Sequence, residues 1–80
     1  EELKKPTQTY IILIDEALRN HPTGIMDLQE IYDKICKRYP YYKYRANTTG
    51  WQSSVRHNLI SCERFVEAGK QGKGRLWKID

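Results

Sequence analysis

The stretch "GWQSSVRHNLISC", Gly50 to Cys62, decides how this chain is read. Its residues can be placed on a helical wheel with Trp51 at zero. Val55 then falls at about 40°, Asn58 at about −20°, Leu59 at about 80° and Cys62 at about 20°. These five share one side, an apolar stripe that packs inward. Ser53, Arg56, His57 and Ile60 fall on the far side, between about 140° and 240°. Thr49 and Gln52 have the spacing of a capping box, so the expected helix begins with Thr49 as N-cap and runs to about Ser61.

The far side is unusual for a solvated surface, because it has none of the long Lys or Glu side chains that solubility alone favours. Arg56 carries a planar fork of donors that fits a guanine edge or a phosphate. His57 is a compact donor or acceptor. Ser53 is short enough to let a helix approach closely, and Ile60 fits a thymine methyl. These four are the candidate base-reading residues for a helix lying in the major groove of DNA. A merely solvated face is the competing reading. Asn58 shares the same run but lies on the inward side, so it is read as a structural amide bonded to backbone.

After this helix the periodicity changes. Arg64–Ala68 and Arg75–Ile79 alternate as strands around the Gly-rich turn 69–74, forming a hairpin. Arg75, Trp77 and Ile79 share one strand face. Lys70, Lys73 and Arg75 surround glycines that let backbone come close, and cations so placed neutralise phosphates without sequence preference. A bare loop is the simpler alternative.

Upstream, Tyr10, Leu13, Ile14, Ala17 and Leu18 recur at helical spacing. Asp15, Glu16 and Arg19 lie opposite, and Ile12 falls outside the stripe. Thr7 or Thr9 caps this helix, and His21-Pro22-Thr23-Gly24 ends it. His21 reads as a surface residue of that turn. Asp27 and Glu30 form a capping box for a second helix with Leu28, Ile31, Tyr32, Ile35 and Tyr39 on one stripe. Pro40 stops it. Residues 41–47 read as an aromatic, basic loop, some of whose rings fill the core in preference to stacking on bases. A short Ile25-Met26 strand is positioned to join the hairpin. The expected architecture is α+β, three helices and a small antiparallel sheet.

Eighty residues make one small domain, 1–80, with a thin core and little room for a buried catalytic cleft. The chain opens Glu1-Glu2 without Met and is read as an excised piece of a longer protein. Six Tyr, two Trp and one Phe argue against disorder. No apolar run has bilayer-spanning length and no secretory signal is visible, so no membrane partner is expected. The Asn47-Thr48-Thr49 sequon is therefore treated as accidental.

The net charge of +4 is unevenly spread. Residues 1–34 hold seven acidic and four basic side chains, a balance of −3, and residues 35–80 hold three acidic and ten basic, a balance of +7. That asymmetry fits either a half facing a polyanion or a solvated basic surface.

Catalysis is not expected. Ser53 and Ser54 precede His57 on one helix, which is not a catalytic arrangement by itself, and no Gly-x-Ser-x-Gly elbow, evident buried Asp or phosphate loop accompanies them. Cys36 and Cys62 are far apart and read as buried free thiols, and no metal or cofactor is expected.

Trp51-Gln52-Ser53-Ser54-Val55-Arg56-His57-Asn58-Leu59, then Phe65, Gly72-Lys73-Gly74 and Trp77, resembles the forkhead domain of winged-helix transcription factors. Lys5-Pro6 with Tyr10 resembles that family's opening motif, and Tyr41-Tyr42 also fits. The wording around Arg56 and the compact Gly-Lys-Gly wing look most like the fungal forkhead-like regulators of ribosomal-protein genes.

The resemblance implies a winged helix that binds double-stranded DNA as a monomer in the nucleus. The helix at about 49–61 would enter an A/T-rich site of the type RYAAAYA. Arg56 and His57 would meet base edges or adjacent phosphates. Lys5, Gln8, Tyr10, Ser54 and Ser61 would lie on the DNA backbone. Lys70, Lys73 and Arg75 would contact it from the wing (69–75), with Trp77 anchoring that wing and its ring N–H reaching a phosphate. Co-regulator proteins are further implied partners. Two readout positions depart from the family, where Asn stands at Ser53 and Ser at Ile60. The departures leave a second reading open, a winged-helix module that docks protein or chromatin with weakened base readout.

Overall fold

The computed structural model describes residues 5–72 and 74–80. The chain forms α1 (Tyr10–Arg19), β1 (Met26–Asp27), α2 (Leu28–Arg38), α3 (Tyr41–Tyr44), α4 (Thr48–Ser61), β2 (Phe65–Gln71) and β3 (Gly74–Ile79). The strands make one antiparallel sheet in the order β1-β3-β2. No helix among the described residues is long and apolar enough to cross a membrane.

Local chemistry explains most of the boundaries. Thr9, not Thr7, caps α1, its hydroxyl accepting from the Ile12 N–H. The helix ends at Arg19, before Pro22 is reached: Asn20 makes the last helical bond, to the Glu16 carbonyl, and the His21 N–H then tightens onto Leu18. The capping box of α2 forms as expected: Asp27 accepts from Glu30 N at 2.8 Å and Glu30 accepts from Asp27 N at 3.0 Å.

Three expectations need correction. Residues 41–47 are not wholly loop, since Tyr41–Tyr44 forms a helical turn behind Pro40, whose φ of −58° suits a helix start. That turn drives the Tyr42 ring into the core, where burial and the neighbouring Tyr10 and Tyr41 push its hydroxyl up to about 12. The cap of α4 is Asn47, not Thr49. Asn47 has extended backbone, and its side-chain oxygen accepts from Gly50 N at 2.8 Å, so Thr49 already lies inside the helix. The hairpin strands run longer than expected, to Gln71 and from Gly74. Gly72 has φ +62°, and a Cβ there would meet nothing within 4 Å, so backbone conformation is what favours glycine.

The core joins Leu13, Ile14, Ala17 and Leu18 of α1 to Ile31, Tyr32 and Ile35 of α2 and to Trp51, Val55 and Leu59 of α4. Met26, Tyr42, Phe65 and Trp77 close it. Each fully buried aliphatic side chain contributes about 1.5–3 kcal/mol. Because α1 packs on α2, α4 and β3, its buried surface is wider than one stripe. Asp15, expected on the solvent side, is 7% exposed. It survives there because two arginines reach it: Arg19 from the next turn and Arg64 from the α4–β2 junction, the latter at 2.7 Å. Cys36 and Cys62 are free thiols but only half-buried, Cys62 being the C-cap of α4 and not one of its helical residues.

Candidate nucleic-acid interface

The two sides of α4 separate as the wheel predicts. Trp51, Val55 and Leu59 are buried, while Ser53, Arg56, His57 and Ile60 are exposed. The inward side is held by more than apolar contact. Trp51 packs edge-on to Tyr32 at 5.5 Å and tilted against Tyr42 at 5.1 Å. Tyr32 donates its hydroxyl to the Gln52 carbonyl at 3.0 Å, tying α2 to α4. Asn58 donates to the Ser54 carbonyl at 2.7 Å, which bears out its structural reading. With these restraints, the outward face of α4 has a fixed rotation about the helix axis.

That face continues into the wing. Arg56, Leu59 and Ile60 of α4, Leu28 and Gln29 of α2, and Gly74, Arg75 and Trp77 of β3 line one open groove of 410 Å³, with Asp27 at its edge. The two arginines thus approach one concave surface from different elements. Ile60 is 50% exposed beside them. The convergence of Arg56 with Arg75 is not visible in the sequence, because only the pairing of β3 with β1 brings the wing beside α2 and α4.

The remaining candidates are less uniform. Lys5 is exposed and Tyr10 is half-buried, its ring 6.1 Å from that of Tyr42. Gln8 donates to the Tyr39 hydroxyl at 3.0 Å, and that hydroxyl donates to Glu16 at 2.7 Å, so the Gln8 amide is engaged within the protein. Ser54 is half-buried, and Ser61 is exposed and donates to the His57 carbonyl. Lys70 and Arg75 are exposed on the wing. Trp77 is a core residue, 8% exposed, set between β1 and β2. Lys73 lies outside the described residues. His21 is less idle than expected: its ring bonds Thr23 within the turn.

Sequence reasoning missed two links. Arg64 is anchored to Asp15, and Arg75 Nε forms an ion pair with a Glu67 carboxylate oxygen at 3.1 Å. The second was visible in principle, since Glu67 is the sole acidic residue between Phe65 and Ile79. Among the described residues, no cluster of three His, Cys, Asp or Glu side chains is placed to hold a metal ion.

A helix-turn-helix core whose last helix is exposed on one side, followed by a two-stranded wing, defines a winged-helix domain. The Forkhead domain family matches residues 4–80, and the chain belongs to that family, whose domains bind DNA in transcription regulators. It is 42% identical to Fork-head transcriptional regulator 2 of Candida albicans over 99% of this chain and 12% of that protein. It is 46% identical to Pre-rRNA-processing protein FHL1 of Saccharomyces cerevisiae over 95% of this chain and 8% of that protein. It is 42% identical to Forkhead box protein L3 of Homo sapiens over 96% of this chain and 34% of that protein. The chain therefore spans between 8% and 34% of the length of these relatives.

Proposed function

We infer that this domain recognises a specific double-stranded DNA sequence as a monomer, within a nuclear transcription regulator. In this reading α4 lies in the major groove of an A/T-rich forkhead-type site. The observation that carries it is the exposure of Ser53, Arg56, His57 and Ile60 on one side of a helix whose opposite side is locked into the core. Arg56 supplies the bidentate donor, and each such pairing is worth about 1–3 kcal/mol of base discrimination. His57 and Ser53 add shorter polar contacts, and Ile60 an apolar one.

Phosphate contacts hold the helix in register. Lys5 and Tyr10 serve at the α1 end, Ser54 and Ser61 along α4, and Lys70, Lys73 and Arg75 on the wing, with Trp77 as its anchor. Gln8 takes part only by leaving Tyr39. Titration against forkhead-type and scrambled duplexes at several salt concentrations tests the reading. A preference that persists as salt rises supports it. Equal affinities that vanish together reduce it to phosphate binding alone.

The exposed Ile60 favours a second reading, in which the domain docks a co-regulator or chromatin protein. Arg56→Ala with His57→Ala separates the two. Regulation that survives the loss of DNA binding means docking.

A further inference from the structure

We propose that Glu67 limits the affinity of the wing for DNA by holding Arg75. The inference rests on the wing contact of the preceding reading and adds a residue that opposes it.

Three observations carry the proposal. The Arg75 guanidinium forms an ion pair with Glu67, its Nε 3.1 Å from a carboxylate oxygen, with both side chains about half exposed (58% and 47%). The pair is therefore formed at the surface that a duplex would approach. Secondly, the sheet makes Glu67 and Arg75 diagonal neighbours and sets a like charge opposite Arg75. Between Glu67 and Gly69 the register slips: Glu67 faces Trp77 but Gly69 faces Leu76, and the slip carries Lys70 directly opposite Arg75. Gly69 absorbs it at φ +125°. Like charges opposite one another across a strand pair repel. Arg75 instead turns diagonally to the carboxylate. Thirdly, Glu67 stands alone as an acidic residue between Phe65 and Ile79, in a hairpin that also holds Lys70, Lys73, Arg75 and Lys78.

A carboxylate and a phosphate compete for the same guanidinium, because both accept from its planar fork. Arg75 must loosen its contact with Glu67 to grip a phosphate, and the freed carboxylate then faces that phosphate as a like charge. The penalty applies wherever the wing meets a DNA backbone, whatever the sequence. It therefore weakens binding to specific and nonspecific duplexes by a similar factor.

The test uses the 80-residue domain, a forkhead-type duplex and a scrambled duplex, with affinities measured at several salt concentrations. Glu67→Gln and Glu67→Ser should each tighten binding about 2–5-fold, as expected for an exposed ion pair. The gain should be similar on the two duplexes. The slope of log affinity against log salt should steepen by about one contact. In an Arg75→Gln background the gain from Glu67→Gln should disappear. Thermal melts accompany each variant, and whichever Glu67 substitution retains the wild-type melt carries the comparison.

Unchanged or weaker binding by that variant overturns the proposal while leaving the DNA-binding reading intact. An equal gain with Arg75→Gln overturns it too, since Glu67 would then act only through overall charge. A wild-type domain that binds neither duplex removes the underlying reading, and the proposal with it.

Discussion

Arg64 stands forty-nine residues from Asp15 in the chain, yet its guanidinium donates to the Asp15 carboxylate at 2.7 Å. The pair pins the junction between α4 and β2 to the first helix. It therefore fixes where the wing starts relative to the helix whose outer face carries Arg56. Arg19 completes the arrangement from within α1.

This cluster makes stability depend on pH. Burial pushes the Asp15 carboxyl up, but hydrogen bonds and charge from Arg19 and Arg64 outweigh it and hold the group below the ordinary carboxylate range. A folded-state value below the unfolded one means the contribution is complete above the unfolded value of about 4 and is lost as pH falls through the folded value. Asp15→Asn should cost about 1–3 kcal/mol at neutral pH, less than for a wholly buried pair because both arginines remain hydrated. Its denaturation midpoint should also fall less than that of wild type on acidification below about pH 4. Urea titrations at several pH values check both expectations.

The start of α4 gives a second prediction. Asn47 supplies the capping oxygen to Gly50, while Thr49 lies within the first turn. Asn47→Ala should cost about 1 kcal/mol of stability, and Thr49→Ala should have a much smaller effect. Equilibrium unfolding of both variants decides between these positions as the cap.

Arg56 is exposed and makes no ion pair among the described residues, so removing it should leave the fold alone. Arg56→Ala should weaken binding to a preferred duplex by about 1–3 kcal/mol and relax the choice of base it contacts, with an unchanged melting temperature. Fluorescence anisotropy on matched and single-substituted duplexes measures the loss.

Ser53 is too short for a two-bonded grip on adenine, whereas asparagine supplies one. Ser53→Asn should raise affinity for the usual forkhead site, by as much as about 1–3 kcal/mol. A loss of affinity in the same titration would mean that α4 sits differently in the groove.

Much of the fold is legible in the sequence because its signals are local. The capping box at Asp27 and Glu30, the α2 stripe and the two-sided wheel of α4 each lie within a few turns of one helix, and all appear in the structure. The errors arise where distant contacts decide. Asp15 looks like a solvent-facing residue until Arg64 arrives from the wing junction. The Tyr41–Tyr44 turn depends on a core opening for Tyr42, which no local spacing shows. The cap of α4 was misplaced for a different reason: Asn47 and Thr49 are both good capping residues two positions apart, and the Gln52 spacing favours Thr49. For the candidate site, the exposed residues of α4 could be read from the wheel. The groove joining Arg75 to Arg56 could not, because it depends on strand register.

If the exposed side of α4 is the surface that meets DNA, residue-by-residue amide shifts during a duplex titration will be largest at Ser53, Arg56, His57 and Ile60, with smaller ones at Lys70 and Arg75. Shifts confined to α1 and α2, with Arg56 and His57 unmoved at saturation, would contradict it.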